Sequence, residues 1–171
     1  KQSLDAKATG NNRVTKSSLV VDYSTGKKSG WYIELKDLGE RVASPARVRH
    51  GHVLFNSIIP DRSECSSSGD GWEWLVQIGN GGSAKNAQYD HNGDGKVTLA
   101  GDEIKDSSGE MVGYAAKKIT DKGLLATPSV IGNRRFTPTS AVATTKDMLT
   151  TVLVTYPKTS GRISWQELQR D

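Results

Sequence analysis

The chain has 171 residues, enough for one domain that takes about 70% of its unfolded surface out of water. Hydrophobic residues make up 35% and charged residues 25%, and no run approaches the ~18 apolar residues of a membrane span, which excludes a spanning helix. A net charge of +4, spread along the chain, permits an acidic partner without demanding one, and a single cysteine, Cys65, excludes an internal disulfide.

The opening at Lys1, with no Met and no charged-then-apolar stretch, reads as a mature product or an excised C-terminal piece. Residues 1–18 carry little hydrophobic pattern and are expected to form a polar entry arm, with residues 19–171 as a single domain. Order is expected to begin at Leu19-Val20-Val21-Asp22-Tyr23; a Thr25-Gly26-Lys27 turn follows, and Trp31-Tyr32-Ile33-Glu34-Leu35 returns as the second arm of a hairpin. Residues 48–55 are expected as a further strand with a tight turn at Gly51, closed by Ile58 and Ile59 before Pro60. Residues 61–71 read as a Ser/Gly/Asp loop and 72–78 as a strand. Residues 79–110 form a long polar insertion. Strand pattern resumes at 112–119 and 124–131, and 150–156 is the last clear strand. With 18 glycines, many Ser and Thr, and no window of sustained helical apolar spacing, the fold class is all-β.

An internal echo sharpens this reading. Ala43-Ser44-Pro45 leads to Phe55, and Ala126-Thr127-Pro128 leads to Phe136, with the prolines 83 positions apart. That is about twice the ~40–45 residues of a propeller blade, so the two segments are expected to be equivalent strands of separate blades. Pro is tolerated as the first residue of such a strand. Asp22-Tyr23-Ser24-Thr25-Gly26-Lys27 with Trp31 resembles the D-x-x-T-G-K-x-x-W docking motif of quinoprotein-type propellers, with the Trp one place late.

The insertion holds the strongest chemical motif, Asp90-His91-Asn92-Gly93-Asp94-Gly95-Lys96-Val97-Thr98, followed by Asp102 and Glu103. Alternate oxygen side chains at Asp90, Asn92 and Asp94 can converge on one cation as the loop curls, with a sharp turn at Gly95 and the Lys96 main-chain carbonyl as a further ligand. Hard, anionic oxygen ligands favour Ca²⁺. The position that carries the bidentate acid in a helix-loop-helix site is Gly101 here, so the 90–102 loop must close through Thr98, Asp102 or Glu103. His91 lies between ligand positions and is expected to point outward.

Other candidates carry less. His50 and His52 would share a strand face as solvated residues, with no local third ligand for zinc. Trp72 and Trp74 fall on one strand face, as sheet packing or an aromatic platform. Arg134-Arg135 with Lys117-Lys118 lacks the interleaved aromatics of a nucleic-acid groove. No acid, base and nucleophile set can be assembled, so the chain is not expected to be an enzyme.

Three segments together carry a family resemblance: Gly30-Trp31-Tyr32-Ile33-Glu34-Leu35, Gly39-Glu40-Arg41-Val42-Ala43-Ser44-Pro45, and Gly51-His52-Val53-Leu54-Phe55-Asn56-Ser57-Ile58-Ile59-Pro60. With Cys65 before Gly69-Asp70-Gly71-Trp72, the Asp90 loop, and the ending Gly161-Arg162-Ile163-Ser164-Trp165, the chain resembles the C-terminal region of PilY/PilC-type proteins, the type IV pilus tip-associated adhesins and assembly factors. The resemblance implies the C-terminal blades of a quinoprotein-like, seven-bladed β-propeller with a calcium-loop insertion. It implies Ca²⁺ held by Asp90, Asn92, Asp94, Lys96, Thr98 and Asp102, and a place at the cell surface, on the pilus (fimbrium) tip or outer membrane. The implied partners are minor pilins, the rest of the parent propeller, and a host-cell receptor or surface. The implied roles are pilus biogenesis, extension and retraction control, twitching motility, cell adhesion and virulence. An unrelated calcium-dependent interaction module remains the alternative, with a fragment of a pyrroloquinoline-quinone dehydrogenase propeller behind it.

Overall fold

A computed structural model describes residues 10–15, 21–27, 29–61, 69–140 and 149–154. Cys65, the 160–168 ending and most of the expected entry arm lie outside the described residues.

The centre is a hairpin of two nine-residue strands, β3 (His52–Pro60) and β4 (Gly69–Gln77), paired from His52↔Gln77 to Pro60↔Gly69. Successive side chains of a strand face opposite ways, so Val53, Phe55 and Ile59 share one face with Trp72, Trp74 and Val76, while Leu54, Asn56 and Ile58 share the other with Glu73 and Leu75. Both faces are covered, which suits the near-continuous β-branched and aromatic sequence. On the first face Phe55 stacks on Trp74, centroids 5.4 Å apart, and Trp31, Ile33 and Leu35 pack over the tryptophans. On the second, Leu54 and Leu75 form a cluster with Tyr89, Val154 and Val130.

Three short strands complete this sheet: β1 (Asn12–Arg13), β2 (Arg47–Arg49) and β7 (Ala116–Ile119), in the antiparallel order β1-β7-β4-β3-β2. A second sheet has the order β10-β9-β8, from β8 (Ser129–Ile131), β9 (Arg134–Pro138) and β10 (Leu149–Leu153). A third pairs β5 (Glu103–Lys105) with β6 (Met111–Gly113). The only helix among the described residues is α1 (Leu99–Asp102). The chain is all-β, and among the described residues none of its sheets closes.

Several expectations are corrected. Residues 21–23 form no strand, and 31–35 make at most a single bridge at Ile33. The turn itself forms, with Lys27 N donating to Ser24 O (3.0 Å) and Gly26 at φ 79°. Its flanks are drawn to the end of β4 instead of to each other: the Tyr23 hydroxyl donates to Gly79 O (2.5 Å) and Trp31 Nε1 to Ile78 O (2.8 Å). Residues 48–55 are two strands, not one, because His50 (φ 47°) and Gly51 (φ 76°) both turn left-handed and fold β2 back on β3. Order begins before Leu19: β1 is built into the sheet, with Val14 and Thr15 buried.

The echo corresponds to real hairpins. β2–β3–β4 and β8–β9–β10 are both antiparallel meanders that open with a two-residue turn. The marker residues are not in register, however. Arg47 pairs with Leu54, whereas the equivalent pair in the second hairpin is Ser129 with Phe136, so Phe55 and Phe136 fall one place apart.

Candidate metal centre

The 90–102 loop is anchored at both ends by the sheets. Tyr89 is buried and bridges to Val154, and Glu103 opens β5, paired with Gly113. Between these anchors the short polar side chains bond their own main chain, the local habit of Asp and Asn. Asp90 Oδ1 accepts from Gly93 N (2.6 Å) and Oδ2 from Gly95 N (2.9 Å). Asn92 Oδ1 accepts from Asp94 N (2.9 Å), and Asp94 Oδ1 from Lys96 N (2.8 Å). Gly93 and Gly95 take positive φ at 79° and 82°, which lets the chain curl so tightly.

Asp102 closes the loop. Its Oδ1 accepts from His91 N (2.6 Å) and Asn92 N (3.2 Å), and its Oδ2 from Thr98 N (2.9 Å). Glu103 faces away, its Oε1 accepting from Ala87 N (2.7 Å). Of the three closing residues left open by the sequence, Asp102 is therefore the acid inside the curl and Thr98 is its amide partner. Gly101 is needed beside it: at φ 94°, an added Cβ would sit 2.6 Å from Asn92 Nδ2.

The donor chemistry of this curl suits a hard divalent cation. An ionised carboxylate has about four acceptor sites. Asp90 and Asp94 each use two and Asp102 uses three, so all three keep acceptor capacity beyond the loop's own amides. The expected donor set adds the Asn92 amide and the Lys96 main-chain carbonyl to these acids. Among the described residues no three His, Cys, Asp or Glu side chains form a metal-sized cluster by themselves.

His91 does not point into solvent. Its ring stacks on Tyr114, centroids 4.0 Å apart, its Nε2 meets Asn12 Oδ1, and its carbonyl accepts from Lys117 Nζ (3.1 Å). Burial, with the Lys117 charge behind it, depresses the imidazole to about 4, against the opposing pull of Asp102 and Asp90. Burial and then Asp102 raise the Tyr114 phenol. The loop is thus clamped to the β1/β7 side of the sheet by a neutral ring. Nothing local in the sequence identified Asn12, Tyr114 or Lys117 as its holders.

The remaining candidates resolve as structure. His50 sits in the turn, while His52 is buried on β3 with Nδ1 3.0 Å from His50 O, so the two share no strand face. Trp72 and Trp74 are buried sheet packing; the Arg13 guanidinium lies 3.7 Å from the Trp72 ring centroid and pairs with Glu40 (2.8 Å) and Asp37 (2.7 Å). Arg135 is wholly buried and Lys118 reaches Asp37 and Asp70, so the Arg134-Arg135 and Lys117-Lys118 quartet forms no single basic surface, and only Arg134 of the four is exposed.

Open antiparallel sheets with a polar loop inserted between strands make this an all-β domain, and the fold it shares with a solved structure is propeller-like. No family model and no curated protein matches the sequence. In three dimensions it is similar to the crystal structure of the Pseudomonas aeruginosa PilY1 C-terminal domain, with a TM-score of 0.62 and 17% identity. The match covers 90% of this chain and 31% of that one, so the chain spans about a third of the length of the structure whose fold it shares.

Proposed function

We propose that the chain is the calcium-binding, non-enzymatic C-terminal part of a type IV pilus tip-associated adhesin and assembly factor. The observation that carries this reading is the shared fold over 90% of the chain, together with an oxygen-lined curl closed by Asp102. Asp90, Asn92, Asp94, Asp102, Thr98 and the Lys96 carbonyl would hold Ca²⁺, whose charge draws anionic oxygens together. The chain's own part is to hold that loop against β1 and β7 through His91, Tyr114 and Lys117, so that loading stiffens the sheet edge as well as the loop. Its neighbours in this reading are the other blades of a seven-bladed parent, minor pilins, and a host receptor or surface. Its place is the pilus tip or outer membrane, where it acts in pilus biogenesis, extension and retraction, twitching and attachment.

Calorimetric titration of Ca²⁺ into the chain, with Asp94→Ala as control, tests the site. Binding should raise the melting temperature, by about 2.7 kcal/mol of stabilisation at a hundredfold excess over Kd. Flat titrations for both proteins would sink the calcium reading. Asp90→Ala with Asp94→Ala in the full-length parent should then alter surface pili and twitching zones at constant protein level. Dye-coupled dehydrogenase assays with added quinone and Ca²⁺ should stay at background.

A further inference from the structure

The first strands of the two echo hairpins meet at a cleft of about 270 Å³, lined by Arg47, Val48 and Arg49 of β2, Leu54 of β3, and Pro128, Ser129 and Val130 at β8. Among the described residues, β2 and β8 are the outer strands of their sheets. The pairs Arg49↔His52 and Ile131↔Arg134 flank two-residue turns and so exchange the ladder hydrogen bonds. The next pairs, Val48↔Val53 and Val130↔Arg135, do not, and so Val48 and Val130 turn their main-chain N–H and C=O groups outward. Arg49 Nη1 already donates to the Val130 carbonyl (2.9 Å), which places that β8 edge against β2.

The charge of this place is one-sided. Neither residues 41–60 nor residues 123–146 contain an Asp or Glu. Arg47 lines the cleft and makes no ion pair among the described residues, Arg134 is exposed at the neighbouring tip, and Val48 (64% exposed) and Ile131 (72% exposed) stand beside them. Behind the arginines the floor is apolar, from Leu54, Pro128 and Val130. A cationic, apolar-floored cleft beside a strand edge where, among the described residues, Val48 pairs its outward main-chain groups with no other strand suits an extended segment that alternates carboxylate and apolar side chains.

We infer that this cleft docks an acidic, extended peptide segment of a partner protein by strand addition at β2. Val48 supplies the main-chain pair, Arg47 takes a carboxylate in the bidentate geometry that guanidinium favours, Arg49 adds positive charge from its place on the Val130 carbonyl, and Leu54, Pro128 and Val130 receive an apolar side chain. This inference stands apart from the calcium reading and uses none of its residues.

The test uses the whole chain and a fluorescent hexapeptide alternating glutamate and valine, with a glutamine–valine isostere, phosphatidylserine vesicles and single-stranded DNA as competing probes. The acidic peptide should bind at least tenfold more tightly than the isostere. Arg47→Glu should weaken it at least tenfold, whereas Lys105→Glu, the same charge change on the exposed end of β5, should weaken it less than twofold. Val48→Pro removes the outward N–H and no ladder bond, and should cost several-fold. No binding of the acidic peptide at millimolar concentration, equal binding of the isostere, or equal losses in Arg47→Glu and Lys105→Glu would overturn the inference. So would tighter binding of vesicles or DNA than of the peptide.

Discussion

Arg135→Met should cost about 4 kcal/mol, because Arg135 is the polar bolt between the two larger sheets. Its side chain is wholly buried on β9, where Nη1 donates to Trp74 O (3.0 Å) and to the Tyr89 hydroxyl, Nη2 donates to Phe55 O (3.3 Å) and to Asn56 Oδ1, and Nε lies 3.8 Å from Glu73 Oε1. Methionine keeps much of the volume but removes the guanidinium charge that faces Glu73, itself 1% exposed. Removing one member of a buried pair costs about 3–5 kcal/mol, and buried acceptors left without a donor cost about 1–3 each. These losses overlap in one cluster, so a total near ~4 kcal/mol is expected in place of their sum. A domain stable by roughly 5–15 kcal/mol would lose a large share of its stability. With a urea slope of about 2 kcal/mol/M, the midpoint followed by tryptophan fluorescence should fall by about 2 M. Glu73→Gln combined with Arg135→Met removes both charges of the buried pair, and should recover at least about 1.5 kcal/mol relative to the sum of the single changes. A loss below ~1 kcal/mol in Arg135→Met, or strictly additive singles, would refute the bolt.

Gly81→Ala should destabilise the chain by about 1–3 kcal/mol, because an added Cβ would meet the Trp31 ring at 2.4 Å and the backbone there is left-handed at φ 68°. An unchanged melting temperature would mean that Trp31 does not seat on that turn. His52 is held below its ordinary value by burial, so the unfolded chain binds the proton more readily. The stability from His52 is therefore complete above pH ~6.5 and is lost as pH falls through the folded pKa. His52→Gln should flatten that part of the urea-midpoint profile between pH 7.5 and 5, while His91, shifted the same way, leaves a residual slope; equal slopes in both proteins would contradict the assignment.

Local chemistry was legible in the sequence, and face assignment was not. The D-x-N-x-D-G run had to curl, since each short side chain reaches an amide two to five residues on. The choice between Asp102 and Glu103 was not local, because adjacent residues at the start of a strand face opposite ways and the β5–β6 register decides which turns inward. Trp72 and Trp74 were legible as buried packing because both faces of β4 are covered and aromatics fit either. β9 escaped notice for a related reason. It reads Arg-Arg-Phe-Thr-Pro, which looks like a basic surface segment, yet its buried residues are Arg135 and Thr137 while Phe136 is only half-buried. Period-two alternation is fully present there, but with the polar residues inward. The rule that finds strands assumes an apolar inner face, and this one meets Asn56 and Glu73, which lie in the sequence some 60 to 80 residues earlier. A strand whose inner face is built to complete a distant polar pair can be recognised only after the partner sheet is in place, and Arg135 is where the two meanders depend on each other.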